Sequence, residues 1–269
     1  MAMPQAAAGA VELPRKRLQP LIASQPDTIL LRTPAAAPYV FRSYHDSDTS
    51  SPTFGTELCV LEASSSTSRL LVRHLARDTG AASVFESAFP SQAFAILNGG
   101  FFGVDSQGKP TPIGLSKAAG TLWSRAMPWT SGGYIAAGPL APHIFSVGER
   151  KQLASYTNIL QSKPILVWQG KEGIRRATAD RFDRSAVATD RHGHIFFFLL
   201  HQPENGAASL AEFSFLLLQY RSSHGTSIDT ALAMDGGPGA HLYIPAINRH
   251  CGTGNAPYTP NALYLQAMQ

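Results

Sequence analysis

At two distant places in the chain an apolar run ends in a polar side chain and a pair of glycines. These are Ala93-Phe-Ala-Ile-Leu-Asn98-Gly99-Gly100-Phe101-Phe102 and Ala231-Leu-Ala-Met-Asp235-Gly236-Gly237-Pro238. A strand that stops in this way carries Asn98 or Asp235 to its mouth. The glycines that follow have no Cβ, so backbone N–H groups can turn toward a ligand. Donors of that kind suit an anion or a polar sugar, and a carboxylate beside them can activate water or stabilise a developing positive charge. Both turns serve one site only if the fold brings them together, and most of the chain's strands lie between them.

Other residues extend the set. Arg184 opens an apolar run and can fork onto phosphate oxygens. Gly99, Gly100, Gly236 and Gly237 can offer backbone N–H groups. Each also has a structural reading. Asp235 and Asn98 can close turns through their own side chains, Arg184 can pair with Asp180 or Asp183 at the surface, and Phe101 and Phe102 can belong to the core. His201, at the end of an apolar strand, is either a proton carrier or a satisfied structural histidine. Asp105, Asp190 and Asp235 are hard oxygen donors that suit a divalent cation such as calcium, but no EF-hand-like spacing links them and the chemistry requires no cofactor.

Composition bounds the rest. A chain of 269 residues buries roughly 70–75% of its unfolded surface and needs no disulfide framework. With 44% hydrophobic and 15% charged residues the composition is that of a globular protein, which excludes disorder throughout. The net charge of +4 favours small anionic ligands. The one dense basic run, Arg15-Lys16-Arg17, is not a Lys/Arg stripe, so nucleic acid is not an expected partner. Cys59 and Cys251 are either one long-range disulfide of an oxidising compartment or two buried thiols. No apolar run reaches the length of a transmembrane helix, and residues 1–10 show no basic leader followed by an apolar stretch. Nothing in the sequence sets the oligomeric state.

Residues 1–37 read as an arm or extended lead-in with one strand near Thr28 to Leu31, and 38–269 as a single domain. Strands are expected at Tyr39 to Tyr44, Phe94 to Leu97, Gly133 to Ala137, Ile165 to Trp168, Ala231 to Met234, Leu242 to Ile244 and Ala262 to Leu265. Leu58 to Leu61 and Leu70 to Leu75 read as a hairpin, Val84 to Phe89 as a short helix, and 101–128 as a long loop. The clearest hairpin is Arg184 to Thr189 with His194 to Leu200, its turn Asp190-Arg-His-Gly193 ending in the glycine that a left-handed residue requires. Ser209-Leu-Ala-Glu212 is a capping box that opens a helix with Leu210, Phe213, Leu217 and Tyr220 on one face. The expected class is α+β: a mainly antiparallel sheet with a few flanking helices.

Five stretches occur in an order that resembles the phosphodiester glycosidase family: Asn98-Gly-Gly-Phe-Phe102, Pro112-Ile-Gly-Leu115, Leu160-Gln-Ser-Lys-Pro-Ile-Leu166, Arg184-Ser-Ala-Val-Ala188 and Ala233-Met-Asp-Gly-Gly237. The resemblance covers roughly residues 57 to 265. That family includes the uncovering enzyme that removes N-acetylglucosamine from a phosphodiester on mannose. The resemblance implies a hydrolase that cleaves a sugar-1-phosphodiester, releases sugar and a phosphomonoester, and works in the periplasm or after secretion. It also implies that Asp235 is the carboxylate that activates water or steadies an oxocarbenium-like state and that Asn98 orients the sugar or the water; Phe101, Ser162, Lys163 and His201 are further candidate substrate contacts. Two departures stand out. Gly239 occupies the place of a usual serine two positions after the second glycine of Asp-Gly-Gly, and Ser162-Lys163-Pro164 replaces Ser/Gly-Gly-Pro. The lysine either adds a phosphate contact or points to solvent. Two further readings use the same pocket: a non-catalytic carbohydrate or cell-envelope binding module, and a phosphodiesterase that cuts P–O.

Overall fold

The computed structural model describes residues 16–31, 39–75, 89–104, 106, 110–174, 179–253 and 259–268. The helix expected near residues 84–89 lies almost wholly outside them. An eight-stranded sheet runs in the order Asp27–Leu31, Tyr39–His45, Glu57–Ser64, His194–His201, Arg184–Thr189, Thr230–Ala233, Ile165–Trp168 and Lys171–Glu172. A second sheet of five strands is ordered Arg249–Cys251, Leu242–Ile244, Ala93–Asn98, Asn261–Ala267 and Ser68–His74. A third, also of five, is ordered His143–Ser146, Gly133–Ala137, Asn158–Ser162, Ser116–Ala118 and Thr121–Ser124. Paired strands in all three are antiparallel.

The His194–His201 strand explains how these layers stack. Its run Ile195-Phe-Phe-Phe-Leu-Leu200 is apolar without alternation, because both faces of the large sheet are covered. Ile195, Phe197 and Leu199 enter a core shared with the two smaller sheets. Phe196, Phe198 and Leu200 enter a second core under the helix Leu210–Gln219. The expected hairpin forms in register, with Gly193 at φ +83° in its turn. The helix begins at the expected capping box: Glu212 N–H donates to Ser209 Oγ at 3.2 Å and Ser209 N–H to Glu212 Oε2 at 2.8 Å.

Three expectations change. Helices are minor, with α-helices of 5 and 10 residues among the described residues, so the class is mainly antiparallel β and the α+β label fits only loosely. Glu57–Ser64 and Ser68–His74 are not a hairpin. Both edges of the first strand are already taken by Tyr39–His45 and His194–His201, so the chain turns at 65–67 into a different sheet. The 101–128 stretch carries short paired strands, Phe102–Val104 with Pro110–Pro112 and Ser116–Ala118 with Thr121–Ser124. Within the N-terminal lead-in, residues 16–31 fold against the body. Leu18 and Leu21 join the helix-side core, Arg17 Nε donates to Glu212 Oε1 at 2.7 Å, and Asp27–Leu31 adds an edge strand.

Cys59 and Cys251 form a disulfide between the large sheet and the edge strand of the second sheet, closing a loop of 192 residues. Replacing both by alanine is expected to cost about 2–5 kcal/mol of unfolding free energy, the usual effect of losing a native crosslink. Urea unfolding of the double variant measures this, and an unchanged midpoint and slope would contradict it.

Candidate functional site

The large sheet and the second sheet end side by side, and their two glycine turns meet there. Asp235 N–H donates to Gly99 O at 2.9 Å. Asn98 Nδ2 donates to Asp235 O at 2.7 Å, and Ser185 Oγ donates to the same oxygen at 2.9 Å. Asn98 Oδ1 in turn accepts His241 N–H at 3.1 Å. The amide of Asn98 is therefore a buried clamp between backbones of both sheets, 1% exposed. A side chain so engaged positions the turn that bears Asp235.

Asp235 itself is half-buried. Burial pushes its carboxyl up to about 6, and the opposing pull is only the N–H of Gly236. Among the described residues no lysine, arginine or histidine forms an ion pair with it. A carboxyl of this kind, ionised at neutral pH but close to its pKa, is suited to take a proton from water.

The glycines have a different role from the one expected. Gly99 N–H donates to Asn261 O at 3.0 Å and Gly100 N–H to Asn261 Oδ1 at 2.8 Å. Gly237 N–H donates to Asp183 O at 2.9 Å, and Gly236 N–H serves the Asp235 carboxylate. The N–H groups of Gly99, Gly100 and Gly237 thus have hydrogen-bond partners inside the protein, because a buried amide without a partner is costly. Glycine is required at these positions for closeness of approach: a Cβ on Gly99 would lie 1.8 Å from Asn261 Oδ1, one on Gly100 2.9 Å from Gln161 O, and one on Gly236 2.8 Å from Asp183 O.

Positive charge comes from side chains instead. Arg184 is held by Nε–H to Ala208 O at 2.8 Å and Nη2–H to Asp180 O at 3.2 Å, with its guanidinium over the Phe182 ring. Its contacts with Asp180 and Ala208 are to backbone carbonyls. Nη1 lies 3.7 Å from the point where a Cβ on Gly236 would stand, which places the cation beside the Asp235 turn. Burial lowers the pKa of this guanidinium. Lys163 Nζ sits 4.9 Å over the Trp129 ring, and Phe101 packs edge-on against the same ring. His201 Nδ1 is bonded to Asp183 Oδ2 at 2.6 Å, and Asp183 supports Gly237 through its carbonyl, so this histidine braces the second turn.

Ser162 and Asn261 mark a further feature. Ser162 Oγ and Asn261 Nδ2 are both buried with no hydrogen-bond partner among the described residues. Each flanks the Gly99-Gly100 turn, Asn261 by direct bonds and Ser162 as the residue after Gln161. A cleft of about 380 Å³ borders the other turn, between Arg181, Asp183, Gln202, Gly237, Pro238 and Thr253. A larger hollow of about 630 Å³, near Arg69, Leu140 and Asn158, is remote from these groups, and the chemistry follows the carboxylate.

Asn261, Asp183, Ser185 and His241 complete the site, and none was singled out from sequence. Asn261 did carry a signal: it is a polar residue that opens an apolar strand, where Asn98 closes one. Asp190 lies at the far end of the large sheet from Asp235. Its carboxylate is engaged by the N–H groups of His192 and His194, the His194 ring and Thr226. Asp105 is outside the described residues.

Fold and site together define a mainly antiparallel β protein with a half-buried carboxylate, Asp235, where two glycine turns meet at its strand mouths. The chain belongs to the phosphodiester glycosidase family, a family of glycosidase-type hydrolases, whose profile matches residues 91–266. The same fold is found in a hypothetical protein from Synechocystis, at TM-score 0.64 and 13% identity; the alignment covers 91% of this chain and 65% of that one. It is also found in the zebrafish N-acetylglucosamine-1-phosphodiester alpha-N-acetylglucosaminidase catalytic domain auto-inhibited by pro-peptide. There the TM-score is 0.59 at 12% identity, covering 91% of this chain and 89% of that one. A Burkholderia pseudomallei protein assigned as exported aligns at TM-score 0.53 and 12% identity, over 78% and 74% of the two chains. No curated protein sequence matches the chain significantly. Among the described residues no helix is long and apolar enough to cross a membrane.

Proposed function

We propose that this protein hydrolyses the bond between the anomeric carbon of a sugar and a phosphodiester, releasing sugar and a phosphomonoester. The observation that carries this is the Asp235 carboxyl, buried at the meeting point of the two glycine turns with its pKa pushed up to about 6. Family membership supports this choice of bond. A phosphomonoester leaves readily, its second pKa being about 6, so little general-acid help is needed. What the site must provide is a base for water and positive charge for the phosphate.

In this reading Asp235 activates water, Arg184 meets the phosphate beside Gly236, and Lys163 adds charge from the Trp129 side. Ser162 Oγ and Asn261 Nδ2, two buried groups with no hydrogen-bond partner among the described residues, hold a sugar hydroxyl or an ordered water. Asn98 acts as positioning clamp for the turn. No divalent cation is needed for these steps, and the calcium-like set Asp105, Asp190 and Asp235 takes no part in the scheme. A periplasmic or secreted location fits the disulfide, which persists in oxidising compartments.

The test is sugar release from a panel of sugar-1-phosphodiesters, including α-N-acetylglucosaminyl and glucosyl forms. Turnover of at least one is expected; binding of sugar phosphates without turnover would instead mark a binding module. For the turned-over substrate, kcat/KM is expected to rise as pH increases through about 6, because the base must be ionised. A rate flat between pH 5 and 7 would contradict the role given to Asp235.

A further inference from the structure

Away from the pocket, Glu62, His194 and His224 each present one ligand atom within 4.8 Å of the other two. We infer that Glu62, His194 and His224 form a binding site for a divalent transition cation of the zinc type. Imidazole nitrogens with one carboxylate oxygen are a common zinc donor set.

The surroundings are those of an organised metal site. His194 Nδ1 is bonded to Asp190 Oδ2 at 2.7 Å. The tautomer this favours has its proton on Nδ1 and a lone pair on Nε2, the arrangement in which a carboxylate orients a metal-binding histidine. Asp190 is itself fixed by Thr226 Oγ1 at 2.7 Å. The Glu62 carboxylate is 4% exposed and is held by Ser223, whose N–H donates to Oε2 at 2.8 Å and whose hydroxyl donates to Oε1 at 2.7 Å. His224, the residue after Ser223, has Nε2 4.0 Å from Glu62 Oε1 and its ring stacked on that of His194.

Zinc bonds of about 2.0–2.2 Å place tetrahedral donors roughly 3.4 Å apart. Closing from the present separations asks most of His224, whose side chain is 65% exposed and free to move. Arg42, bonded to Tyr220 Oη at 3.1 Å, adds positive charge near Glu62 and moderates the affinity. His194 and His201 stand at opposite ends of one eight-residue strand, roughly 23 Å apart. The cation site is therefore separate from the groups around Asp235. It ties the 221–228 turn to two central strands of the large sheet.

The experiment uses the untagged full chain, stripped with a chelator and titrated calorimetrically with zinc chloride, with bound metal counted after dialysis. One zinc per chain is expected, together with a rise in Tm. His224→Ala, at an exposed side chain, and Glu62→Gln are each expected to weaken binding at least tenfold and to remove the Tm rise. Asp190→Asn, which touches no metal, is expected to weaken it about 10- to 100-fold. No uptake of zinc by the wild type would overturn the inference, as would equal uptake and an equal Tm rise in wild type and His224→Ala. Melting of each stripped variant shows whether it is folded.

Discussion

Asp235→Asn is expected to lower the rate of sugar release by about 10²- to 10⁴-fold, the range that general-base groups contribute, while making the folded protein more stable at neutral pH. The two effects have one cause. Burial raises the carboxyl of Asp235 from an ordinary 3.8 to about 6, so the folded state holds its proton more tightly than the unfolded chain does. The stability this provides is present in full below about pH 4 and is lost as pH rises through about 6. At pH 7 the ionised group stands half-buried with no ion-pair partner among the described residues, a strain worth up to roughly 3 kcal/mol from a shift of about two units. Asparagine carries no charge and removes most of that strain. Thermal melts at pH 7 and pH 4 check the sign: the variant's advantage should be large at pH 7 and shrink toward pH 4. A variant that is inactive and also less stable at pH 7 would mean that Asp235 is held by contacts rather than strained for chemistry.

Gly99→Ala is expected to disrupt both the fold at the strand mouth and the activity. The added methyl would lie 1.8 Å from Asn261 Oδ1 and 2.6 Å from Asn261 O. Neither atom can retreat cheaply, because the oxygens accept the N–H groups of Gly100 and Gly99. Moving Gly99 the other way pulls its carbonyl off Asp235 N–H and slackens the Asn98 clamp. A loss of roughly 3 kcal/mol or more follows, at or beyond the upper end for overpacking. Turnover should fall further than stability alone explains, since the displaced group is the catalytic turn. Urea unfolding and kinetics below the transition measure both. A variant with wild-type midpoint and wild-type turnover would show that the two turns are not rigidly coupled.

Much of this was legible in the sequence. The 184–200 hairpin announced itself by a glycine-terminated turn between two apolar runs, and the helix at 210 by a capping box, because both signals are local backbone chemistry. The polar residues that close apolar runs, Asn98 and Asp235, were visible as strand-mouth residues for the same reason. What the sequence concealed was long-range. Which strands flank Glu57–Ser64 depends on partners from elsewhere in the chain, so a short connection looked like a hairpin when it is a crossing between sheets. The N–H groups of Gly99 and Gly100 looked available to a ligand until Asn261, more than 150 residues later, was seen to occupy them. The raised carboxyl of Asp235 follows from burial, which is a property of packing rather than of its neighbours in sequence.

The central claim is that the bond broken joins the anomeric carbon to oxygen. Hydrolysis of a turned-over sugar-1-phosphodiester in ¹⁸O-labelled water, with mass spectrometry of both products, tests it most directly. The label is expected in the released sugar and not in the phosphomonoester. Label found in the phosphate would show P–O cleavage and contradict the mechanism built on Asp235, even if the substrate is the right one.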